Sequence, residues 1–550
     1  MTYLDIPRLH FSGTFKAAPS TVNNSPENYD PAHVISRQDQ AWNPNGNHTF
    51  AIDANVTTIC LTGGNPSPGD PIVGAALISV NDPVPAKLVD LDTEQQMVSQ
   101  IFGMQIRLGT PDTAYFTAAF QPVCFNDIFG RVLGGKPDSM FSAFYQSVLT
   151  GVEWGPDGGS PLLQKLKGAS PGLLSIKFVV DGFDDQSVEG NGNPNPHFTL
   201  GRIAGTIGPQ LENEPPNFVA GRLLRPNPTI SQVTNYAYCL VDRDRSTVTF
   251  DLGNSVPTVS PAGPPPGNYG TLQAAILTDD TEPVILGTYD YSEQAYLNSA
   301  LVQEFPLTDG QLHAIAGNPV AIVQTIDGGS PHVLLQENPT GAYANATQYV
   351  YRMNPGDTAT VRLIATVFGA RAPNQTITLA QSSAALQPAP NINVGTPAAA
   401  LTISPQRVTT GSDGTATFTM KASNPGNPRR FIDGQLYGVA FNWDEDPNPN
   451  SNAIISVHVY DAFPIPQNPT WWLDVRPLFE PYVRLYPYME RLVNLDDFAA
   501  VKGAMPGVRQ LLEMQETNSQ FMPVTRDLSR DKLGIILKWM DNGLPEGPRR

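Results

Sequence analysis

Apolar residues along this chain recur in short runs that polar and turn-forming residues separate. Residues 73–80 (VGAALISV), 173–180 (LLSIKFVV) and 358–368 (TATVRLIATVF) are runs of strand length, and runs of this kind bounded by turn residues are typical of buried strands. Residues 235–252 (NYAYCLVDRDRSTVTFDL) predict a hairpin, because two β-rich runs flank a polar turn. The pattern therefore predicts a mainly β protein that is α+β overall.

One segment of the N-terminal half has helical spacing instead. Within residues 139–149 (SMFSAFYQSVL), the apolar residues Met140, Phe141, Phe144 and Val148 fall on one face at 3.6 residues per turn. The spacing predicts a helix over this segment.

The clearest helix signal lies near the C-terminal end. Ser529 can cap a helix N-terminus, and the dipeptide Asn542-Gly543 can end it. Between these signals an apolar face recurs at helical spacing, formed by Leu533, Ile536, Leu537 and Met540. We expect this amphipathic face to pack against a partner.

Turn signals and changes of composition divide the chain into regions. We predict a β-rich N-terminal region (1–256), a second β-rich region (257–370), an immunoglobulin-like β-sandwich (371–468) and a helical C-terminal segment (469–550). Residues 257–267 (PTVSPAGPPPG) predict a polyproline-type linker between the first two regions. The sandwich prediction depends on strand-like runs at short intervals between residues 400 and 459.

Composition and charge narrow the partner classes. The chain has 53 Pro and 47 Gly in 550 residues, which favours many turns over long helices. Its formal net charge of −18 repels phosphate backbones and anionic lipid headgroups, so nucleic acid and membrane surfaces are excluded as partners. No apolar run approaches the roughly 18 residues of a membrane span, and the first residues (MTYLDIPR) do not resemble a signal peptide. We expect a cytoplasmic protein.

Cysteine usage gives no sign of a disulfide framework or a zinc knuckle. Cys60, Cys124 and Cys239 are odd in number, far apart and outside any CxxC pair. We expect each to be a small buried apolar residue.

Two segments of the chain resemble catalytic or metal-binding motifs. Residues 168–172 (GASPG) match the G-x-S-x-G nucleophile elbow, but Pro171 follows the serine and has no N–H for an oxyanion hole, so we interpret the segment as a turn. A second segment places side-chain oxygens at alternate positions, as a calcium loop does; these residues are Asp444, Asp446, Asn448 and Asn450. The alternative is a solvated polar loop, because Pro449 stands where such a loop needs Gly.

A candidate binding site draws on charged residues near the N-terminus. Asp5, Arg8 and His10 can line a pocket together with His48 and Arg222. The alternative is structural, since buried Asp and Arg are often simply paired with each other or with backbone carbonyls. Arg222 and Arg225 are the first choices for contact with an anion.

Several short segments then carry a family resemblance. In chain order they are residues 4–13 (LDIPRLHFSG), 46–48 (GNH), 73–75 (VGA), 89–90 (VD), 220–226 (AGRLLRP), 485–489 (LYPYM) and 522–529 (MPVTRDLS) followed by Lys532. Together they resemble the N-terminal part of the bis-indole pigment synthases, that is, the violacein-pathway iminophenylpyruvate dimer synthases and the chromopyrrolate synthases. Enzymes of this family continue into a ferritin-like iron domain, and the resemblance implies that this chain stops near the start of it. None of its seven histidines has Glu three residues before it, so the Glu-x-x-His iron pattern is missing.

Two function classes follow from these observations. The first is a non-catalytic scaffold or binding protein that acts with a separate protein partner, or by self-association, through the helical C-terminal segment. The second is a secondary-metabolism enzyme acting on an aromatic amino-acid-derived imine or a similar small molecule, and a small aromatic ligand suits either class. No cofactor is predicted, since no known binding motif passes its geometric requirements; calcium and haem remain open.

Overall fold

A computed structural model describes most of the chain. The described residues are 1–18, 46–64, 66–80, 84–92, 95–123, 128–133, 141–183, 200–229, 235–267, 269–278, 282–326, 328–383, 386, 394–429, 432–443 and 454–549. Strands account for 43% of the structure and helices for 15%, which confirms the predicted mainly β, α+β fold.

The first sheet curls into a barrel. Its strands are β1 (Arg8–Ala17), β2 (Thr49–Cys60), β3 (Ala76–Val80), β4 (Ala86–Asp92), β5 (Gln95–Phe102), β6 (Gln105–Gly109), β7 (Ala114–Phe120), β8 (Phe129–Gly130), β9 (Phe141–Trp154), β10 (Leu173–Phe183) and β11 (Leu200–Pro209). The order β1-β11-β10-β9-β7-β6-β3-β2 closes because β2 pairs back onto β1. Apolar side chains such as Phe11, Ile106 and Phe178 fill the interior, and the hairpin β4–β5 extends from β2.

The helix predicted over residues 139–149 is wrong. Its described part belongs to β9, which pairs with β10 from Leu149–Leu174 to Phe141–Phe183. Residues 142–149 are buried on both faces of the strand, because one face lines the barrel and the other lies under neighbouring structure. A strand buried on both faces reads as a continuous apolar run, so its sequence does not alternate.

The segment that joins β9 to β10 contains α1 (Pro161–Ala169), which Ser160 caps at its N-terminus. Leu162, Leu163 and Leu166 of this helix join the barrel core. Ser170 follows α1 and its hydroxyl donates to the carbonyl oxygen of Gln210 at 2.7 Å. The residue therefore holds a turn, in agreement with our interpretation of the GASPG segment.

The second sheet packs on the outside of the barrel. Its strands are β12 (Arg222–Pro226), β13 (Ala237–Asp242), β14 (Thr247–Asp251), β15 (Thr271–Ile276), β16 (Val284–Tyr289), β17 (Val302–Pro306), β18 (Val320–Thr325) and β19 (His332–Glu337), with α2 (Glu293–Ser299) and α3 (Asp309–Ala314) between strands. β13 and β14 are the predicted hairpin. Ala204 of the barrel belongs to the core of this sheet.

Residues 257–267, the predicted polyproline-type linker, contact the first sheet. Thr258 bridges to Val132 of the barrel region, and the guanidinium of Arg202 donates to the carbonyl oxygens of Ala262 and Gly263 at 3.2 and 3.1 Å. The carbonyl oxygens of the Pro-rich segment therefore accept hydrogen bonds that hold it against the first sheet. Proline removes only the backbone N–H donor, so these acceptors are still present.

The β-sandwich predicted over residues 371–468 consists of a pair of sheets around a shared core, and its strands begin earlier than predicted, at Ala342. The strands are β20 (Ala342–Ala346), β21 (Val350–Met353), β22 (Thr358–Val367), β23 (Ala370–Arg371), β24 (Thr376–Gln381), β25 (Leu401–Ser404), β26 (Arg407–Thr409), β27 (Thr415–Ala422), β28 (Gln435–Trp443) and β29 (Ile454–Val459). One sheet has the order β20-β22-β27-β25 with β23 beside β22, and the other β21-β29-β28-β24-β26. Phe418 and Ile455 are among the residues packed between them.

The C-terminal segment is helical, as predicted. A π-helical turn (Trp471–Val475) leads into α4 (Arg476–Leu485), and α5 (Phe498–Leu512) and α6 (Arg530–Asp541) follow. Ser529 caps α6 and Gly543 ends it with a positive φ, which confirms both signals. Its most buried side chains are Ile535, Ile536 and Trp539, and they pack on Trp471 and α5. Part of the predicted apolar face is therefore covered by this chain itself.

Candidate functional site

A cleft opens where the barrel, the sandwich and the helical segment meet. Its volume is about 230 Å³. The barrel contributes His48 and β4, the sandwich contributes two loop residues and β29, and the helical segment contributes α4 and the start of α6. The lining residues are His48, Val89, Asp90, Leu91, Asp92, Ile432, Asp433, His458, Pro477, Leu478, Glu480, Pro481, Tyr482, Tyr486, Thr525, Asp527, Leu528 and Lys532.

Asp92 on β4 forms the inner wall of the cleft. Its carboxylate accepts two hydrogen bonds from Arg429, Nη1 to Oδ1 at 3.1 Å and Nη2 to Oδ2 at 2.7 Å. Nδ1 of His458 lies 3.2 Å from the same Oδ2, and its Nε2 lies 2.6 Å from the carbonyl oxygen of Asp433. Burial alone would raise the pKa of Asp92, but Arg429 and His458 outweigh burial and hold that pKa well below its usual range. Asp92 is thus a structural anion that its partners already neutralise.

The carboxyl groups of Asp90 and Asp527 differ from that of Asp92, because neutral hydroxyl groups donate hydrogen bonds to them. The Ser99 hydroxyl donates to Asp90 at 2.6 Å; the hydroxyls of Thr525 and Tyr482 donate to Asp527 at 2.5 and 2.7 Å. Burial raises the pKa of Asp90 to about 7 and also raises the pKa of Asp527. Both carboxyl groups would gain from a cation placed in the cleft.

Basic groups of the cleft are held by the protein or kept neutral. The ammonium of Lys532 lies 3.1 Å from Oδ2 of Asp433. Burial lowers the pKa of His48 to about 4, so this ring is neutral at pH 7. Nδ1–H of His48 donates to the carbonyl oxygen of Leu88 at 3.1 Å, which makes Nε2 an acceptor. The cleft therefore presents acceptors to a ligand more than it presents cations.

Apolar and aromatic groups complete the wall. The rings of Tyr482 and Tyr486 stack with centroids 6.1 Å apart, and the ring of His48 lies 5.7 Å from Tyr486. Leu478 and Leu528 line the same space. Carboxyl groups beside aromatic faces can bind a small organic cation with an apolar body, through charge and cation–π attraction.

The structure brings Asp5, Arg8 and His10 together at the junction of the barrel and the second sheet. Nη1 of the fully buried Arg8 donates to the carbonyl oxygen of Leu4 at 2.5 Å. Nδ1 of His10 lies 2.8 Å from the Thr206 hydroxyl, and its Nε2 lies 3.6 Å from Sγ of Cys60. Burial lowers the pKa of His10 and raises the pKa of Asp5. The structural alternative for this segment predicted that Arg8 contacts a backbone carbonyl, and the bond to Leu4 is such a contact.

The other predicted site residues lie elsewhere. His48 lines the cleft. Arg222 is buried in the second sheet, where Nη1 donates to Glu337 Oε2 at 2.8 Å and to the Asn318 carbonyl at 3.1 Å. Arg225 is half-buried three residues further along β12. Asp5, Arg8, His10 and Arg222 are not among the residues that line the cleft with His48.

The proposed calcium-loop residues Asp444, Asp446, Asn448 and Asn450 lie outside the described residues, as does Cys124. Cys60 and Cys239 are buried free thiols, as expected for small apolar residues. Within the described ranges, no three His, Cys, Asp or Glu side chains are placed to hold a metal ion. No helix in the same ranges has both the length and the apolar composition that a membrane crossing needs.

Sequence reasoning missed most of the cleft. Asp92, His458 and Arg429 come from segments with no recognisable motif, and only the fold brings them together. A weaker signal was present in the short segments on which the expected family resemblance depends. Four of them supply cleft residues: 46–48 through His48, 89–90 through Asp90, 485–489 through Tyr486 and 522–529 through Asp527.

Comparison with known proteins adds no assignment. No protein-family model and no curated protein matches the chain. Among solved structures, the D00-D0 domain of intimin is 11% identical, with 41% of this chain and 100% of that chain covered and a TM-score of 0.16. The Yersinia pseudotuberculosis adhesin InvE is 17% identical, with 40% and 54% covered and a TM-score of 0.15. Sequence identities and TM-scores this low assign neither a fold family nor a function to this chain.

Proposed function

We propose that the protein is a non-catalytic scaffold or binding protein, related to the β-rich half of the bis-indole pigment synthases, whose cleft binds a small organic cation. The observation that carries this proposal is the pair of carboxyl groups, Asp90 and Asp527, hydrogen-bonded by hydroxyls beside the aromatic wall. A primary amine with an aromatic body suits a cleft of this size and lining.

The family resemblance supports the same location. The short segments that carry it are widely separated in the sequence, yet four of them contribute side chains to this cleft. If the resemblance reflects a shared task, the cleft is where that task is performed. The relationship to the pigment synthases is part of this proposal.

A separate protein partner also belongs to the proposal. Ile535, Ile536 and Trp539 of α6 already pack within the chain, so a partner would contact other parts of the helical segment. Leu473 and Leu492 are exposed there by 38% and 63%. Gel filtration of the protein with products of neighbouring genes tests this element: a stable complex at micromolar concentration supports it, and elution as separate species contradicts it.

Calorimetric titration with 2-phenylethylamine tests the ligand class. We expect binding of the amine and none of 2-phenylethanol or phenylacetate, which have the same body with a neutral or an anionic head. Asp527→Asn should weaken amine binding about tenfold or more, since it removes a carboxylate. Asp112→Asn, in an exposed turn of the first sheet, is the matched control and should bind like the wild type. Equal affinity for the amine and the alcohol would contradict the proposal.

A second candidate function is an enzyme acting on an aromatic amino-acid-derived imine. The observation in its favour is Asp90, because a carboxyl group with a pKa of about 7 is suited to proton transfer at neutral pH. Turnover of such an imine by the purified protein, lost in Asp90→Asn and kept in Asp112→Asn, would favour this function over simple binding.

A further inference from the structure

The loop between α5 and α6 (residues 513–529) supplies part of the cleft wall. Thr525, Asp527 and Leu528 of this loop line the cleft, and the Thr525 hydroxyl donates to Asp527. Arg526 lies between two of these residues in the sequence, but it is not among the residues that line the cleft. Only 2% of it is exposed, so its side chain is directed into the protein.

The guanidinium of Arg526 holds the loop together from the inside. Nε and Nη2 donate to the carbonyl oxygen of Glu516 at 3.2 and 3.1 Å, and Nη2 also donates to that of Asn518 at 2.7 Å. Nη1 donates to the carbonyl oxygen of Val524. Because a guanidinium presents its donors in a fixed planar fork, these bonds set the positions of the loop carbonyls relative to one another.

The same side chain attaches the loop to the barrel region. The guanidinium of Arg526 lies over the ring of Phe102, the last residue of β5, 4.3 Å from the ring centroid. The next residue, Gly103, has a φ of 66°, and a Cβ there would lie 2.4 Å from the backbone nitrogen of Ser519. The end of β5 and the loop are therefore in close contact at two neighbouring points.

The backbone of Arg526 is held from the sandwich. Its carbonyl oxygen accepts from the hydroxyl of Tyr460, which directly follows β29, at 2.7 Å. Arg526 has a φ of 54°, in the left-handed region that non-glycine residues rarely adopt, so its surroundings must keep it there. Barrel, sandwich and loop thus all fix this one residue.

We propose that Arg526 is a positioning residue of the cleft, which keeps the carboxyl group of Asp527 in place for the ammonium group of the ligand. The inference rests on the proposed function, in which Asp527 and Asp90 bind that group. Asp90 belongs to β4, which pairs with β5. The contact of Arg526 with Phe102 therefore also fixes the two carboxyl groups relative to each other, and Arg526 itself does not touch the ligand.

The sign of the effect on affinity separates position from charge. Arg526→Met removes a buried positive charge near the cleft, and through charge alone this would strengthen binding of an organic cation. If Arg526 positions Asp527, the same substitution should instead weaken binding. Tyr460→Phe changes no charge and removes only the hydrogen bond to the backbone of Arg526.

Calorimetric titration with 2-phenylethylamine tests the proposal, with urea unfolding to show that each variant is folded. We expect the amine to bind Arg526→Met about fivefold to tenfold more weakly than the wild type, and Tyr460→Phe about twofold to threefold more weakly. The milder Tyr460→Phe keeps the test valid if Arg526→Met does not fold. Arg509→Met is the matched control, because this arginine of α5 is ion-paired with Glu513 and Asp541 outside the cleft.

A double-mutant cycle shows whether Arg526 acts through Asp527. In an Asp527→Asn background, Arg526→Met or Tyr460→Phe should weaken binding by less than about twofold, because the group that is positioned has already been removed. In an Asp90→Asn background, each substitution should have its full effect.

The outcomes separate this inference from the function on which it rests. Wild-type or tighter amine binding by the folded variants, or the same loss in the Asp527→Asn background as in the wild type, overturns the positioning role alone. If the wild type does not bind the amine, the proposed function is overturned as well. Weaker binding that disappears only in the Asp527→Asn background supports the positioning role.

Discussion

Asp92 and Arg429 are separated by 337 residues in sequence and form a two-point ion pair in which each guanidinium nitrogen meets its own carboxylate oxygen. Asp92 ends β4 of the barrel, and Arg429 lies in the loop before β28 of the sandwich. Both side chains are buried. The pair therefore joins two core-forming regions at the inner wall of the cleft.

Removing one partner of this pair should destabilise the protein strongly. Arg429→Met removes the guanidinium that meets both oxygens of the buried Asp92 carboxylate, and we expect a loss of about 3–5 kcal/mol in the free energy of unfolding, measured in urea. Because folding holds the pKa of Asp92 below its ordinary value, the contribution of the pair is complete above the unfolded pKa of about 4 and is lost as the pH falls below it.

The double variant Asp92→Asn/Arg429→Met is the control for this prediction. It removes both charges, so it should recover a large part of the stability that Arg429→Met loses. A double variant as unstable as the single one would show that the ion pair is not the cause.

Asp90 should make stability depend on pH in the opposite direction. Its pKa rises to about 7 on folding, so between about pH 4 and pH 7 the folded protein holds a proton that the unfolded chain has released. Stability from this group is therefore present at low pH and lost as the pH rises through 7. Asp90→Asn removes the effect, while its amide oxygen can still accept from Ser99.

We expect Asp90→Asn to be more stable than the wild type by about 1–2 kcal/mol at pH 8, a figure reduced for partial solvent screening of the half-buried side chain. The two proteins should have similar stability near pH 4. Urea unfolding at both pH values measures this, and a difference that does not change with pH would refute the assignment.

Asp181 should be essential to the junction between barrel and second sheet. It accepts from Arg131 Nη1 at 3.2 Å, from Arg202 Nε at 3.1 Å and from the Tyr296 hydroxyl. Asp181→Asn leaves two buried guanidinium groups without a carboxylate and should cost about 3–5 kcal/mol of unfolding free energy. Tyr296→Phe, which keeps the ring beneath both guanidinium groups, should cost only about 1.5–3 kcal/mol. Equal losses in the two variants would contradict this ranking.

Local elements could be predicted from the sequence where their own residues specify them. The hairpin β13–β14 and the helix α6 carry their turn and cap signals within a few residues. Strand β9 could not be identified, because only tertiary packing on both of its faces decides between strand and helix. Barrel closure depends on pairing such as His10 with Thr206, and the cleft depends on Asp92 meeting His458. Contacts between residues so far apart in the sequence leave no periodic pattern of apolar and polar residues.

Arg222 illustrates the same limit for a single residue and gives a further prediction. Sequence reasoning chose it for anion contact, but the structure pairs it with Glu337, whose pKa burial raises to about 7 despite Arg222. Arg222→Met should therefore lower stability by about 3–5 kcal/mol and leave the affinity for 2-phenylethylamine unchanged. The matched calorimetric and urea measurements distinguish this from a binding role, which would show as lost affinity in the folded variant.

Lys532 gives the sharpest test of the sign of charge that the cleft binds. Its ammonium lies 3.1 Å from Asp433, and only 16% of the side chain is exposed. The protein itself therefore places a cation beside one of the carboxylates of the cleft. Lys532→Met removes that internal cation and leaves the Asp433 carboxylate available. If the cleft binds organic cations, the variant should bind 2-phenylethylamine about threefold to tenfold more tightly, at some cost in stability.

If instead the cleft binds anions, the same substitution should weaken binding of phenylacetate and leave the affinity for the amine unchanged. Lys538→Met, on the same helix but outside the cleft, should change neither affinity. The direction of the change in Lys532→Met thus decides the ligand class without knowledge of the natural ligand.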